Sequence, residues 1–290
     1  MAFFNNFPSD GPSTVAFDTQ AANHHPDLGP ALWLARRRRA LRRQDLGVII
    51  PFPKRKVTRS VALAELAVLE GTYPAAVTAL TYHSPFELLV AVILSAQCTD
   101  ARVNLTTPVL FAAYPDAAAL AGASIEDVER IVKSCGFFRM KAKNIVNAAR
   151  ALVEQHGGDV PREREALEAL PGVGRKTAAV VLSVAFEDPA FAVDTHVFRV
   201  AHRLGLTLGK TPRAVEDDVT KLLPAAQWRH AHHWLILHGR AICKAPAPLC
   251  DICPVTMCPS RPLVAKARNA SVRARRGAAA GAVRRPARSL

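Results

Sequence analysis

The segment from residue 60 to residue 260 constrains the fold most, because stretches of helical apolar periodicity alternate there with glycine and proline breaks. Leu63, Leu66 and Leu69 show the spacing of one helix face, and no stretch shows the strict apolar–polar alternation of a half-buried strand. The pattern therefore predicts an all-α protein with short connections. The predicted helices cover residues 60–70, 86–99, 101–113, 116–121, 124–134, 139–156, 163–169, 174–187, 194–204, 212–222, 226–240 and 241–245.

Positive charge is concentrated at the two ends of the chain. The formal net charge of the 290 residues is +14. Residues 1–59 hold ten basic and four acidic side chains, and residues 261–290 hold nine basic and no acidic ones, so residues 60–260 are nearly neutral. Bulk attraction of a polyanion thus applies to the two ends, which we predict to be disordered tails. A core that binds DNA must do so through local contacts.

One segment, Leu170-Pro171-Gly172-Val173-Gly174, joins two predicted helices and then opens the second of them. Glycine allows positive φ and leaves backbone amides uncovered. Uncovered amides beside a helix N-terminus form an anion site that needs no side-chain charge. An ordinary connection between helices is the alternative interpretation of this segment.

Lys176 and Asp194, which follow this segment, are candidate catalytic residues. Lys176 falls in the first turn of a helix, where the helix dipole disfavours a cation, so its pKa is expected to be lowered. A neutral amine can attack a sugar carbon as a nucleophile. Asp194 begins another helix, where it can cap the helix and stabilise positive charge that develops on the sugar. The alternatives are a solvated surface lysine and a purely structural cap.

Four cysteines lie within sixteen residues near the C-terminal end, and six, two and four residues separate them in turn. Four thiolates in a loop-rich stretch indicate a metal centre, although spacing alone does not separate zinc from an iron–sulfur cluster. The other two cysteines, Cys98 and Cys135, are expected to be buried small apolar residues. The four candidate ligands are Cys243, Cys250, Cys253 and Cys258.

Several motifs together resemble the endonuclease III family of the helix-hairpin-helix superfamily, whose members are bifunctional DNA glycosylases and AP lyases. The resemblance spans about residues 60–260. The motifs that carry it are Ser84-Pro85-Phe86-Glu87-Leu88-Leu89, Leu94-Ser95-Ala96-Gln97, Ala166 to Ala178, Val193-Asp194-Thr195-His196 and His232 to Arg240.

The resemblance implies a two-domain fold with DNA in the cleft between the domains. A six-helix barrel would cover residues 78–188, and a helical iron–sulfur domain would combine residues 60–77 with residues 189–260. The tails would be residues 1–59 and 261–290.

The resemblance also implies the roles of individual residues. Lys176 would be the Schiff-base nucleophile and Asp194 the catalytic carboxylate, and the four cysteines would hold a [4Fe–4S] cluster. Gln97 would fill the gap left by a flipped nucleotide, and Phe137 would enter the opposite strand where the family has a smaller aliphatic residue. The other predicted DNA contacts are Gly172, Val173, Gly174, Arg175 and His196.

The implied activity is excision of oxidised pyrimidines from duplex DNA in base excision repair, followed by β-elimination 3′ to the abasic site. An adenine glycosylase of the same superfamily is the nearest alternative, but it carries serine at the position of Lys176. A non-catalytic iron–sulfur DNA-binding protein would leave Lys176 and Asp194 unexplained. The four-residue gap before Cys258, where the family commonly has five, predicts a different ligand loop.

The apolar segments are short. None approaches the ~20 residues that a membrane helix needs, and the first thirty residues do not match a secretory signal. The resemblance implies a monomer that binds damaged double-stranded DNA, and together with these observations it predicts a place in the bacterial cytoplasm, at the nucleoid.

Overall fold

The computed structural model describes residues 50–283, with side chains described through residue 274. This part of the chain is helical without a strand, which confirms the predicted fold class. None of its helices is long and apolar enough to cross a membrane. The α-helices are α1 (Arg59–Thr72), α2 (Pro85–Ser95), α3 (Asp100–Ala113), α4 (Ala117–Ala121), α5 (Ile125–Val132), α6 (Phe138–His156), α7 (Arg164–Ala169), α8 (Arg175–Ala185), α9 (Thr195–Arg203), α10 (Pro212–Thr220), α11 (Trp228–Ala241) and α12 (Ser260–Val283).

Most helices begin at a polar side chain that caps the first turn. Ser84, followed by proline at the first helical position, accepts a hydrogen bond from the amide of Glu87 and starts α2 as predicted. Thr58, Thr99, Asp116, Ser124 and Thr211 cap α1, α3, α4, α5 and α10 in the same way. Local sequence therefore sets most of the helix starts.

Buried apolar side chains gather in two hydrophobic cores. The first is built by α2 to α8, from Leu80 to Leu182, and also includes Ala190 and Ala192. The second combines Ala62–Ala76 of α1 and its following turn with residues 191–255, and α1 packs there against α11. The predicted domain limits, at residues 77/78 and 188/189, stay a prediction.

Both predicted tails differ from the structure where it describes them. Residues 1–49 lie outside the described part, but residues 50–58 pack against the second core: the Val57 amide bonds the carbonyl of Gly205 at 3.0 Å, and Lys56 pairs with Asp218. The prediction that the chain is disordered from residue 261 onward is wrong for the described residues, because they form α12, which begins at Ser260. Alanine and arginine favour a helix there, and Val264 is buried.

Two other helix predictions need correction. The helix predicted over residues 86–99 ends at Ser95, because Gln97 takes a left-handed conformation with φ of 51°. The short helix predicted at 241–245 does not form. The buried Arg203 instead binds the carbonyls of Lys244 and Ala245 at 2.6 and 2.8 Å, which holds that segment in a non-helical loop.

Candidate functional site

A cavity of about 660 Å³ lies between the two cores. The first core contributes residues that follow α2 and residues of α8, and the second core contributes the start of α9 and one face of α11. The structure thus brings Gln97, Lys176, Asp194 and His196 together from three separate segments of the sequence. The polar and charged residues that line the cavity also include Asp100, His232 and Arg240.

Lys176 stands in the first turn of α8 with its side chain in the cavity. Burial among the cavity walls lowers the pKa of Lys176, and the positive charge of Arg240 lowers it further, while Asp194 and Asp100 oppose the shift. The residue is exposed to solvent through the cavity opening, so protein surrounds the amine without sealing it from water. The site therefore favours the neutral, nucleophilic amine more than water does.

Asp194 is the N-cap of α9, and its Oδ1 accepts a hydrogen bond from the Val197 amide at 2.7 Å. The cap fixes the carboxylate at the cavity wall. Its charge acts on Lys176 and His196, since it raises the pKa of both groups against the effect of burial. The structural and electrostatic roles of Asp194 are therefore compatible.

Two histidines in the cavity wall are held neutral by burial, which lowers the pKa of each. The Nδ1 of His196 lies 3.1 Å from Nη2 of Arg199. A guanidinium only donates, so this Nδ1 accepts, and the neutral ring carries its proton on Nε2. In His232 the Nδ1 lies 2.7 Å from the carbonyl oxygen of Ala192, so this nitrogen must donate.

An ion pair crosses the cavity between the two cores. Arg240 of α11 donates to Asp100, the first residue of α3, at 2.6 Å. Both residues act on the pKa of Lys176, with opposite signs. Sequence reasoning assigned no role to Asp100, because 140 residues separate the partners and neither stands in a periodic pattern that would pair them.

Gln97 and Phe137 share a strained backbone conformation and an exposed side chain. Their φ angles are 51° and 57°, in the left-handed region that residues with a side chain seldom adopt. Phe137 is 69% exposed, and Met140 beside it is 63% exposed. Unlike Gln97, Phe137 lies outside the cavity lining.

The glycine segment before α8 forms a tight turn, closed by a bond of 3.0 Å from the Val173 amide to the carbonyl of Leu170. Gly172 has φ of 80°, and a Cβ there would lie 2.8 Å from Cβ of Asn144, so only glycine fits. Val173 is buried, whereas Gly172 and Gly174 are exposed. In the described part of the chain no side chain caps α8 at Gly174.

Arg175, predicted as a DNA contact, holds a structural ion pair. Its Nε and Nη2 donate to the Glu216 carboxylate at 2.8 and 3.1 Å. This pair fastens the start of α8 to α10. None of Gly172, Val173, Gly174 and Arg175 lines the cavity.

The four C-terminal cysteines line a second, smaller cavity of about 20 Å³. Burial raises the pKa of Cys253 to about 11 and of Cys258 to about 12, and the other cysteines of the set add to both shifts. Within residues 50–283, however, no three metal-binding side chains stand in ligating geometry. The donor set suits a thiophilic centre, since four mutually repelling sulfurs surround one space.

Cationic and polar groups around these cysteines also suit an anionic centre. The buried Arg203 directs Nη1 at Sγ of Cys243, 3.5 Å away, while its Nε has no partner among the described residues. Nε2 of His238 lies 3.6 Å from Sγ of Cys253, and Nδ1 of the same ring lies 3.2 Å from the hydroxyl of Tyr73. Burial lowers the pKa of His238 to about 4, so this ring is neutral.

The fold, the glycine hairpin and the lysine–aspartate cavity define a class, the helix-hairpin-helix DNA repair proteins. The family model described as "HhH-GPD superfamily base excision DNA repair protein" matches residues 90–225. The chain is also similar to the solved structure titled "Structure of a Trapped Endonuclease III-DNA Covalent Intermediate: Estranged-Adenine Complex", with a TM-score of 0.68 and 43% identity over 70% of this chain and 97% of that one.

Curated relatives narrow the class to one family. Endonuclease III of Synechocystis sp. is 51% identical over 197 residues, which cover 67% of this chain and 90% of the relative. Endonuclease III of Escherichia coli K12 is 47% identical over 197 residues, with 68% and 93% covered. The chain belongs to the endonuclease III family, and it is a base excision repair DNA glycosylase and AP lyase.

Proposed function

We propose that the chain removes oxidised pyrimidines from duplex DNA through a Schiff base on Lys176 and then cleaves 3′ to the abasic site by β-elimination. The observation that carries the proposal is the cavity that holds Lys176, with its lowered pKa, beside the carboxylate of Asp194. The adenine glycosylase alternative offers no role for an amine at this place.

The reaction begins with the neutral amine. The Lys176 nitrogen attacks C1′ of a flipped nucleotide, and the C1′–base bond breaks as the base leaves. Asp194 stabilises the positive charge that develops on the sugar, because its cap bond keeps the carboxylate at the wall. The base departs with its bonding electron pair and takes up a proton, which leaves an aminal at C1′. The amine loses a proton, the C1′–O4′ bond breaks and O4′ is protonated, so the sugar ring opens and C1′ becomes an iminium. Loss of the C2′ proton to a base then forms a C1′–C2′ enamine, whose electrons expel the 3′ phosphate.

The DNA contacts in this proposal divide by function. The amides of Gly172 and Gly174 and the uncapped first amides of α8 would bind a backbone phosphate. Val173, whose amide bonds the carbonyl of Leu170, would contact the DNA through its place in this turn. Gln97 would fill the space of the flipped nucleotide, and Phe137 would wedge the opposite strand.

His196 and Arg175 have smaller parts in the proposed complex. His196 would line the flipped-nucleotide pocket as a neutral ring, because burial lowers its pKa. Arg175 would act chiefly by holding the hairpin through Glu216. We propose that the protein acts as a monomer at the nucleoid of the bacterial cytoplasm, where its substrate lies.

The four cysteines would hold a [4Fe–4S] cluster, with Cys243 and Cys258 at the ends of the ligand loop. When bound, the cluster would cross-link this loop through four iron–sulfur bonds. A ligating thiolate of Cys253 only accepts, so His238 would carry its proton on Nε2 and Tyr73 would donate to Nδ1.

Borohydride trapping tests the proposal. The full-length protein is mixed with a duplex that carries thymine glycol or an abasic site, and the reductant converts a Schiff base into a stable adduct. We expect an adduct with the unaltered protein and with Lys210→Ala, an exposed lysine outside the cavity, but none with Lys176→Ala.

Two outcomes would overturn the proposal. Base release without any adduct from the unaltered protein would mean a monofunctional glycosylase. Binding of DNA without base release or cleavage would mean a non-catalytic DNA-binding protein.

A further inference from the structure

Two exposed loops of the first core contact each other at the edge of the cavity. One contains Gln97 between α2 and α3, and the other contains Gly136 and Phe137 between α5 and α6. A Cβ on Gly136 would lie 3.2 Å from the backbone oxygen of Gln97, so the two backbones are packed as closely as glycine allows. Both loops carry a residue in the left-handed conformation.

Each loop also carries a cysteine next to these residues. Cys98 follows Gln97, and Cys135 precedes Gly136. The Cys98 thiol raises the pKa of the Cys135 thiol, as two sulfurs within interaction range across this contact would, and Sγ of Cys135 lies 3.8 Å from Oγ1 of Thr106. Cys98 is half-buried and lines the cavity, whereas Cys135 is 1% exposed. A small molecule can therefore reach Cys98 from the cavity, whereas Cys135 is buried in the loop that packs against it.

A buried cation stands beside the pair. Lys141 is 4% exposed, and its Nζ donates to the carbonyl of Leu94 at 2.8 Å. Burial raises the pKa of Cys135 and lowers that of Lys141, while each charge opposes the shift of the other. The positive charge of Lys141 thus favours the thiolate of Cys135, which is the form that reacts in disulfide exchange.

We propose that Cys98 and Cys135 form a reversible disulfide that lowers the affinity of the protein for damaged DNA. The oxidant is a low-molecular-weight disulfide of the glutathione class. The thiolate of Cys98 attacks one of its sulfurs and releases one small thiolate. The thiolate of Cys135 then attacks Sγ of Cys98 and releases the second. Two protein thiols are oxidised, one small disulfide is reduced to two thiols, and the electrons and protons balance.

The effect on DNA rests on the proposed function, in which Gln97 and Phe137 enter the duplex. Each cysteine lies within two residues of one of these side chains. A disulfide bond has an S–S length of about 2.05 Å and a restricted torsion angle, so it would fix the spacing of the two loops. The loops would then be held in their DNA-free arrangement. We expect affinity to fall about tenfold, a common size for coupling between two sites.

The test uses the full-length, cluster-loaded protein incubated with oxidised glutathione. Peptide mass spectrometry without reduction should find the Cys98–Cys135 linked peptide. Binding to a duplex with a non-cleavable abasic-site analogue should weaken about tenfold and recover with dithiothreitol. In Cys98→Ser and in Cys135→Ser, the ratio of oxidised to reduced affinity should stay near one. The visible absorption of the iron–sulfur cluster, followed in parallel, monitors damage at the other cysteines.

The outcomes separate this inference from the proposed function. Absence of the linked peptide, in protein whose reduced form binds and cleaves lesions, would overturn the disulfide alone. An equal loss of affinity in Cys98→Ser on oxidation would also overturn it, because the loss would then come from elsewhere. A reduced protein that does not discriminate damaged from intact duplex would overturn the proposed function, while peptide mapping would still report on the disulfide.

Discussion

Two helices each contribute a charged residue of their first turn or cap to the same cavity, and their N-termini differ in whether a side chain caps them. Helix α9 begins at Asp194, whose side chain occupies the Val197 amide. Helix α8 begins at Gly174, and no side chain of the described residues occupies its first amides. In the proposed reaction, the capped end holds a carboxylate rigidly where positive charge develops. The uncapped end would leave amide donors for a phosphate, and its helix dipole disfavours the charged form of Lys176.

The largest effect is expected from substitutions of Asp194, the cap of α9. Asp194→Asn keeps a capping side chain but removes the charge, so turnover should fall about 10²- to 10⁴-fold in single-turnover assays while folding is preserved. Asp194→Ala should lose the same rate and, in addition, about 1 kcal/mol of stability. Asp116→Asn, at the cap of α4, is the matched control and should leave the rate unchanged. Full activity in Asp194→Asn would reduce Asp194 to a structural cap.

The next largest effect is expected from a substitution in the glycine turn that precedes α8. Gly172→Ala must place a Cβ 2.8 Å from Asn144 at a φ of 80°, so we expect about 1–3 kcal/mol lower stability in thermal unfolding, together with weaker DNA binding. Gly158→Ala is the control: its φ is 93° and the space around it is open, so it should lose stability from backbone strain alone, without a steric clash. Equal losses in the two variants would show that contact with Asn144 contributes nothing.

A smaller effect tests the charge balance around Lys176. Arg240 lowers the pKa of Lys176, so Arg240→Gln should raise it and shift the pH profile of Schiff-base formation to higher pH. Asp100, freed from its ion pair, acts in the same direction. Arg229→Gln, on the same helix and paired with Glu187, is the control. A profile that moves to lower pH would contradict the electrostatic account.

The smallest expected effect comes from adding a capping side chain to the uncapped N-terminus of α8. Gly174→Ser has open space for its side chain, and its hydroxyl would accept from the first amides of α8. Stability should rise by a few tenths of a kcal/mol, while affinity for DNA falls roughly two- to fivefold in fluorescence binding assays. Gly71→Ser, within α1 and also in open space, should raise stability to a similar extent through helix propensity but leave the affinity unchanged. Unchanged affinity in Gly174→Ser would argue against phosphate binding at α8.

Local sequence predicted the features that local chemistry determines. The caps at Ser84 and Asp194, and the glycine required at 172, follow from interactions within a few residues. The end of α2 at Ser95 was missed, because the contact between the Gln97 loop and Gly136 joins distant segments.

Two ion pairs between distant segments were equally unpredictable from local sequence. Nothing near Asp100 in the sequence indicates Arg240, and nothing near Arg175 indicates Glu216. The C-terminal helix was missed because its basic composition was taken to indicate disorder, although Arg268 bonds the carbonyl of Pro248 at 2.6 Å. Packing against the core stabilises α12 as a helix, and composition alone does not report that packing.

Helix α9 runs from the cavity that holds Lys176 to the loop that holds the four cysteines. Asp194 caps its start, and Arg203, which holds the cysteine loop, is the last of its nine residues. Such a helix is about 14 Å long and behaves as a lever. A tilt of about 4° at the loop end would move the carboxylate by about 1 Å, and a misplacement of that size can cost about a hundredfold in rate. A change in the cysteine loop would thus alter the position of a carboxylate at the other end of the helix.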